Sequence, residues 1–300
     1  MQKFYLSIIV LSFNTKELLR ECLASLKKNI RSDLSSEIIV VDNASSDSSA
    51  EMVKEEFKEV ILIANKTNVG YTNGNNMAIR QAKGRYVLFL NADTCIHAKT
   101  LETMVSFMDE HKDAGAATCR VELPNGKLDD SCHRGFPTPW RAFCHFSGLS
   151  RIFPKSRIFA GYSLGWKDLS VIHEIDSCSG AFMIVRREAG EEISWWDEDF
   201  FWYGDDLDFC YRLKEKKWKV YFVPTVKILH YKGVSGGIKS ISQHLTRATK
   251  ETRLRVTKAR FEAMKIFYHK HYMGKYPKFI TWLVRQGINL KLFFTLKNLK

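Results

Sequence analysis

Asp42 and Asp93 each stand where an unbroken apolar run stops, in Glu37-Ile-Ile-Val-Val-Asp42 and Tyr86-Val-Leu-Phe-Leu-Asn-Ala-Asp93. Strands covered by helices on both faces read as continuous apolar runs, and their carboxyl ends open into the crevice where ligands bind. An acid there is a natural oxygen ligand for a divalent cation that holds a phosphate. The ordinary alternative is a helix N-cap, with Asp93 or Thr94 satisfying the first backbone donors of a following helix. Two acidic strand ends about fifty residues apart, each following a βα unit, favour one shared crevice over two coincidental caps. Further along, Asp205 and Asp206 adjoin at the start of a helical pattern, where acids also suit the helix dipole.

These side chains need a scaffold, and the chain supplies alternating β and α elements. Leu6-Ser-Ile-Ile-Val-Leu-Ser12 is a first strand, followed by Leu18, Leu19, Cys22, Leu23 and Leu26 at helical spacing. Strands are expected again at 174–177, 181–185, 218–223 and 226–229, with a helix after Asp206 that turns Leu207, Cys210, Tyr211 and Leu213 inward. Between about 122 and 170 the periodicity fades and Pro124, Gly126, Gly135, Pro137, Pro139, Pro154, Gly161 and Gly165 accumulate. Long loops inside enzymes tend to be lids or acceptor sites.

Three hundred residues with 45% hydrophobic content make an ample core. The net charge of +13 points to polyanionic partners. It is concentrated: residues 247–300 hold fourteen Lys or Arg against Glu251 and Glu262. There, Leu254, Phe261, Met264, Tyr268 and Tyr272, then Phe279, Leu283, Leu290 and Phe294, fall at helical spacing. A basic amphipathic tail over 237–300 suits an anionic membrane surface, or else packs on the remainder of the chain with its charges solvated. Seven cysteines without CxxC or Cys/His zinc spacing fit a reduced, cytoplasmic chain. No run approaches the length of a membrane span, so the expected location is cytoplasmic, peripheral to the inner face of the membrane.

The ordered set of motifs resembles family 2 glycosyltransferases of the GT-A fold, in the bacterial rhamnosyltransferase-like branch, over roughly residues 5–236. The pieces are Ser-Ile-Ile-Val-Leu-Ser-Phe-Asn14, Val41-Asp-Asn-Ala-Ser-Ser-Asp47, Asn68-Val-Gly-Tyr71 with Gly74-Asn-Asn76, and Leu90-Asn-Ala-Asp-Thr94. They continue with Cys178-Ser-Gly-Ala-Phe-Met183, Phe201-Trp-Tyr-Gly-Asp-Asp-Leu-Asp208 and His230-Tyr-Lys-Gly-Val-Ser235. The resemblance implies an α/β catalytic domain over 1–236, a single Rossmann-like mixed sheet flanked by helices, with acceptor contacts from the loop-rich segment. The basic helical extension follows it.

By the same resemblance, Asp42 accepts the imide N–H of uracil or thymine, which share that edge. Ser12, Asn14 and Asn68 line the nucleoside pocket, and Gly70 and Gly74 allow close backbone approach beside it. Asn91-Ala-Asp93 occupies the place of the Asp-x-Asp signature with its first acid replaced by Asn91, which still can bond the ribose or a metal-bound water. Asp93 is the expected ligand for Mg²⁺ or Mn²⁺, with His230 as second ligand or diphosphate contact; a histidine after an apolar run is otherwise simply a hydrogen-bonded one. Asp206 is the expected general base, although an Asp at 205, where Glu is common, leaves open which carboxylate reaches. Trp202 and Tyr203 are expected at the acceptor with Gly180, whereas Trp195 and Trp196 default to packing. Arg134 and Lys232 are candidates for phosphate contacts.

The expected activity is inverting, metal-dependent transfer of a sugar, with rhamnose from dTDP-rhamnose as first choice, to a lipid-linked oligosaccharide in cell-surface polysaccharide synthesis. Alternatives are a UDP-sugar transferase with another acceptor, or an inactive scaffold of an assembly complex. A nucleic-acid partner is not expected, because no zinc finger, RRM core or basic helix-turn-helix is present. A dinucleotide oxidoreductase is disfavoured because no G-x-G-x-x-G follows the first strand.

Overall fold

The computed structural model describes residues 4–238, 244–246 and 248–298. The remaining positions of the expected tail, 239–243, 247 and 299–300, and residues 1–3 lie outside the described residues. Four apolar runs form a parallel half-sheet: β1 (Phe4–Ser12), β2 (Ser36–Asp42), β3 (Ile61–Ala64) and β4 (Gly84–Asn91), ordered β3-β2-β1-β4. The chain winds outward from β1 to β3, then returns to the other side of β1 as β4. The carboxyl ends of β1 and β4 therefore flank a switch point, where two connections leave in opposite directions and open a crevice. The first crossover helix, α1 (Lys16–Asn29), buries Leu19, Cys22, Leu23 and Leu26, the i, i+3, i+4, i+7 set read from the sequence. Each such leucine contributes about 1.5–3 kcal/mol by leaving water.

Beyond β4 the sheet becomes mixed. It continues through β5 (Thr94–Ile96), β6 (Ala114–Glu122), β7 (His173–Ile175), β8 (Phe182–Arg186) and β9 (Lys219–His230). β8 runs antiparallel to β4 and β6, β9 runs parallel to β6, and both β5 and β7 pair antiparallel with β9. The two strands expected at 218–223 and 226–229 are one, β9. Its partner register jumps from Val223 to Lys227 opposite Cys119 and Arg120, so the intervening Pro224, which cannot donate to a ladder, sits in an irregularity.

The segment expected to be loop-rich holds a 3₁₀ turn at Asp130–Cys132 and two short helices, α5 (Pro139–Ser147) and α6 (Leu149–Ile152). In chain order the other helices are α2 (Ser49–Glu56), α3 (Tyr71–Ile79), α4 (Thr100–Glu110), α7 (Arg187–Glu192) and α8 (Asp205–Glu215). Thr138 caps α5 by accepting from Arg141 N–H, and Pro139 opens it, where a missing N–H costs nothing. Salt bridges from Arg141 and Lys214 to Asp176 fasten the segment to the sheet and to α8.

A histidine pair sits beneath it. His133 Nε2 lies 2.7 Å from His173 Nε2, and both rings pack on Phe222. Burial, then the neighbouring His173, push His133 down to about 4. The unfolded chain, with an ordinary histidine near 6.5, binds the proton first, so this contribution to stability is complete above pH 6.5 and lost as pH falls towards 4. Urea unfolding should show a loss of about 3 kcal/mol across that window. His133→Gln should flatten the slope; an unchanged slope in the variant would assign it elsewhere.

The tail forms two helices, α9 (Lys250–His271) and α10 (Lys278–Lys297). On α9, Phe261, Phe267 and Tyr268 are buried, and the last two form with Tyr272 and Phe200 a second apolar cluster that Tyr211 of α8 joins. His271 Nε2 lies 2.7 Å from Asp208 Oδ1 on α8, and Asp208 also accepts from Arg212. Of the two uses weighed for the tail's apolar positions, α9 serves packing. On α10 none of the described residues is buried.

Candidate active site

The strand ends show what their acids do. After Asp93 the chain enters β5 rather than a helix, and α4 begins only at Thr100, so Asp93 caps nothing. The β5–β9 ladder places Thr94 opposite His230, and Tyr231 N–H donates to the Asp93 carbonyl at 2.9 Å. A residue 137 positions away in sequence is thus brought beside Asp93 by register alone. His230 Nε2 is 3.2 Å from Asp93 Oδ1, and Asn91 Nδ2 is 3.5 Å from the same nitrogen.

The other face of His230 meets a residue that sequence reasoning missed. Its Nδ1 lies 2.9 Å from Asp129 Oδ2, and Asp129 Oδ1 accepts from the Lys232 ammonium at 2.5 Å and from Ser131 N–H and Oγ. Asp129 is fully buried. Burial acts against its charge, but the bonds from His230 and Lys232 outweigh it and hold the carboxyl far below the usual range. Burial likewise opposes a proton on His230, yet the carboxylates on either side lift it to about 9. At Asp93 the His230 interactions overcome burial and lower the pKa. Nothing in Lys127-Leu-Asp-Asp130 distinguishes Asp129 from an exposed loop acid; only the fold brings it under His230.

Asp93 and His230 fit a divalent cation as partial donors. Their 3.2 Å separation is close to the edge of about 3 Å expected between neighbouring donors on an octahedral ion bonded at ~2.1 Å. Among the described residues no group of three or more His, Cys, Asp or Glu could hold a metal alone. Any such ion would need water or the oxygens of a bound ligand to complete its shell, the usual arrangement for Mg²⁺.

At the end of β2, Asp42 is 3% exposed. Its Oδ2 accepts Ser45 N–H at 3.0 Å, while Oδ1 is buried without a hydrogen-bond partner among the described residues. Burial raises its pKa and the Ser45 bonds only partly offset that. The helix that follows is served by Asp47, which accepts Ser49 N–H, so Asp42 is no cap either. An orphaned buried acceptor costs about 1–3 kcal/mol, which suits a site completed by a ligand donor.

The neighbouring nucleoside candidates are held by local bonds. Ser12 Oγ pairs with Thr15 Oγ1, Asn14 Oδ1 accepts Ser46 N–H, and Asn68 Oδ1 accepts Gly70 N–H. A cavity of about 230 Å³ lies alongside, lined by Phe13, Asn14, Ser46, Asp47, Val234 and Thr252 among others. The first turn of α9 thus forms part of its wall. Gly70 has φ +88°, and a Cβ there would come within 2.9 Å of the Phe201 carbonyl and closer to its ring. Its close approach is to the 200–204 loop, which Tyr71 N–H and Thr72 Oγ1 also grip. Gly74 meets Leu11, packing α3 on β1.

That loop ends at Gly204, in the left-handed region, and delivers the acids on α8. Asp206 Oδ2 is 2.5 Å from Arg134 Nη2, and Oδ1 accepts Leu207 N–H. Asp205 is more deeply buried. Burial, then the charge of Asp206, raise its pKa well above the carboxylate range. The pair is therefore divided: Asp206 is matched to a guanidinium, and at Asp205 the charged form is disfavoured. Arg134, weighed as a phosphate contact, instead faces the acid pair, and Lys232 faces Asp129.

Trp202 lies edge-on to Phe13 at 6.3 Å, and the Trp202 and Tyr203 rings both approach Gly236. Gly180 leaves room for Tyr71, whose hydroxyl would be only 2.1 Å from a Cβ. Trp195 and Trp196 pack on Phe89, as their default reading expects.

A parallel half-sheet joined to an antiparallel extension, with acids at the carboxyl ends, defines the GT-A class of α/β fold. *Staphylococcus aureus* TarS residues 1–349 bound to UDP shares it at TM-score 0.54 and 18% identity, covering 87% of this chain and 65% of that one. A *Pyrobaculum calidifontis* mannosyltransferase with GDP-mannose and Mn²⁺ gives 0.56 and 18%, covering 89% and 65%. The model of "Glycosyl transferase family 2" matches residues 7–193, and the chain belongs to that family. Its likeness to rhamnosyltransferases places it in the rhamnosyltransferase-like branch. *Escherichia coli* rhamnosyltransferase WbbL is 26% identical over 54% of this chain, which spans 61% of WbbL's length. The *Mycobacterium tuberculosis* N-acetylglucosaminyl-diphospho-decaprenol L-rhamnosyltransferase is 24% identical, with 82% of each chain covered. No helix among the described residues is long and apolar enough to cross a membrane.

Proposed function

We propose that residues 1–236 are the catalytic domain of an inverting, metal-dependent glycosyltransferase that moves rhamnose from dTDP-rhamnose to a lipid-linked glycan. The observation that carries this reading is the gathering of Asp93 and His230, 3.2 Å apart, at the carboxyl end of the sheet whose β2 terminates in the orphaned acceptor of Asp42. The named activities of the WbbL and decaprenol-linked relatives support the sugar and the acceptor class.

In this reading Asp42 Oδ1 accepts the base imide N–H, with Ser12, Asn14, Asn68 and Gly70 shaping the pocket and Asn91 reaching the ribose. Asp93 and His230 would hold Mg²⁺ or Mn²⁺, which supplies charge stabilisation to the departing diphosphate. The acceptor hydroxyl, placed by Trp202, Tyr203 and the region of Gly180, attacks the anomeric carbon from the face opposite the diphosphate. Asp206 takes its proton as the new C–O bond forms and the old one breaks. One displacement inverts the configuration. Asp205, buried at the first position of α8, supports the helix start. The basic tail would hold the enzyme at the membrane face that carries the acceptor.

Incubation with dTDP-L-rhamnose and a polyprenyl-diphosphate-linked N-acetylglucosamine should give a rhamnosylated lipid with inverted anomeric configuration by NMR. Retained configuration would contradict the single displacement. Turnover of a UDP-sugar with dTDP-rhamnose ignored would replace the donor, since Asp42 reads an edge that both bases share.

A further inference from the structure

We infer that helices α5 and α6 and the outer face of α10 form one surface that lies on an anionic lipid bilayer. The two segments are more than a hundred residues apart in sequence, yet they meet: the Lys291 ammonium of α10 lies 4.0 Å from the centroid of the Phe146 ring of α5. On α10, Thr281 bonds Tyr268 of α9 and Val284 packs on the second apolar cluster. The opposite face leaves Phe279, Trp282, Phe293 and Phe294 each more than half exposed. The insertion does the same with Phe143, Ile152 and Ile158, at 57%, 68% and 63% exposure. Trp140 stacks on Phe143 and touches Phe159, which meets Phe153, so its apolar side chains are in mutual contact.

The charges identify the occupant. Residues 139–158 carry Arg141, Arg151, Lys155 and Arg157 and no acid; residues 278–297 carry Lys278, Arg285, Lys291 and Lys297 and no acid. A solvated surface intersperses both signs, and the core of a protein–protein interface is depleted of charge. Aromatic side chains among cations alone match the boundary between acyl chains and anionic headgroups, where rings enter and lysines keep their ammonium at the phosphates. The surface thus extends the reading of the tail as membrane-facing, on which it rests through α10. It places the insertion, rather than α9, as the other half. The consequence for function is geometric: the same insertion supplies Arg134 to Asp206, so the bilayer would lie against the segment that borders the acid pair.

The test is sedimentation of the full chain with phosphatidylcholine vesicles, with and without phosphatidylglycerol. Wild type should bind the anionic vesicles and release them at high salt. Phe143→Ser with Ile152→Ser, and separately Lys155→Glu with Arg157→Glu, should each lower partitioning about tenfold or more, with melting temperatures unchanged because the positions are exposed. Trp282→Ser with Phe293→Ser tests the tail by itself. If only this last variant loses binding, the insertion is not part of the surface and the inference fails while the tail reading stands. If wild type ignores anionic vesicles, both fail. A concentration-dependent dimer dispersed by the insertion variants, without vesicle binding, would make the occupant a second copy and overturn the inference.

Discussion

Asp206→Asn is expected to lower turnover by about 10²–10⁴-fold while leaving nucleotide-sugar affinity within error of wild type. The amide keeps the size of the side chain and can still accept Leu207 N–H at the start of α8, so the helix should remain in place. What it cannot do is take the acceptor proton. Its partner Arg134 loses a counter-charge 2.5 Å away, which makes a modest fall in stability a companion result. Asp205→Asn should cost far less, because burial and the charge of Asp206 raise its pKa and disfavour the carboxylate that a base must present. Single-turnover rates with saturating donor separate the two. If Asp205→Asn is the more damaging, the proton goes to the first acid and the assignment must be reversed.

The second large effect is expected at Asp129. It is a fully buried carboxylate bonded to His230 and Lys232, and removing one member of such a group leaves the others as uncompensated buried charge. Asp129→Ala should lose about 3–5 kcal/mol in urea unfolding. Asp129→Asn should keep more of the fold but weaken Mn²⁺ affinity about 10–100-fold, because the Nδ1–H of His230 would no longer be fixed by a carboxylate, and with it the orientation of the ring whose Nε2, once deprotonated, would ligate the ion. Manganese titration followed by electron paramagnetic resonance in the presence of nucleoside diphosphate reads this without turnover. Asp93→Asn in the same titration is the control. Loss of binding in Asp93→Asn with none in Asp129→Asn would leave Asp129 as packing alone.

The α/β class and the first three βα units were legible because they rest on local signals: continuous apolar strands, helical periodicity in α1, and polar residues where the strands end. The GT-A assignment rested on the order of short motifs, each weak alone. Geometry supplied what those signals do not contain. Whether Asp93 caps a helix depends on β5, a three-residue strand that exists only because β9 pairs with it. Asp129 carries no sequence mark, since its burial comes from the insertion folding beneath His230. The break expected between 223 and 226 is absorbed as an irregularity around Pro224, because β6 continues to pair on either side. The tail gave one amphipathic signal for two helices with different tasks; the apolar residues of α9 meet Phe200 and Tyr211, while on α10 only Val284 packs against that cluster and none of the described residues is buried.

The carboxyl end of this sheet is proposed to transfer a sugar from a nucleoside diphosphate. The most direct measurement is release of nucleoside diphosphate from a panel of UDP-, dTDP- and GDP-sugars with Mn²⁺, in the presence of a polyprenyl-linked acceptor, run beside Asp206→Asn and a chelated sample. Release from one uridine or thymidine donor, lost in both controls, is the expected result. Calorimetry showing that none of these donors binds wild-type protein, with no release in the assay, would contradict it.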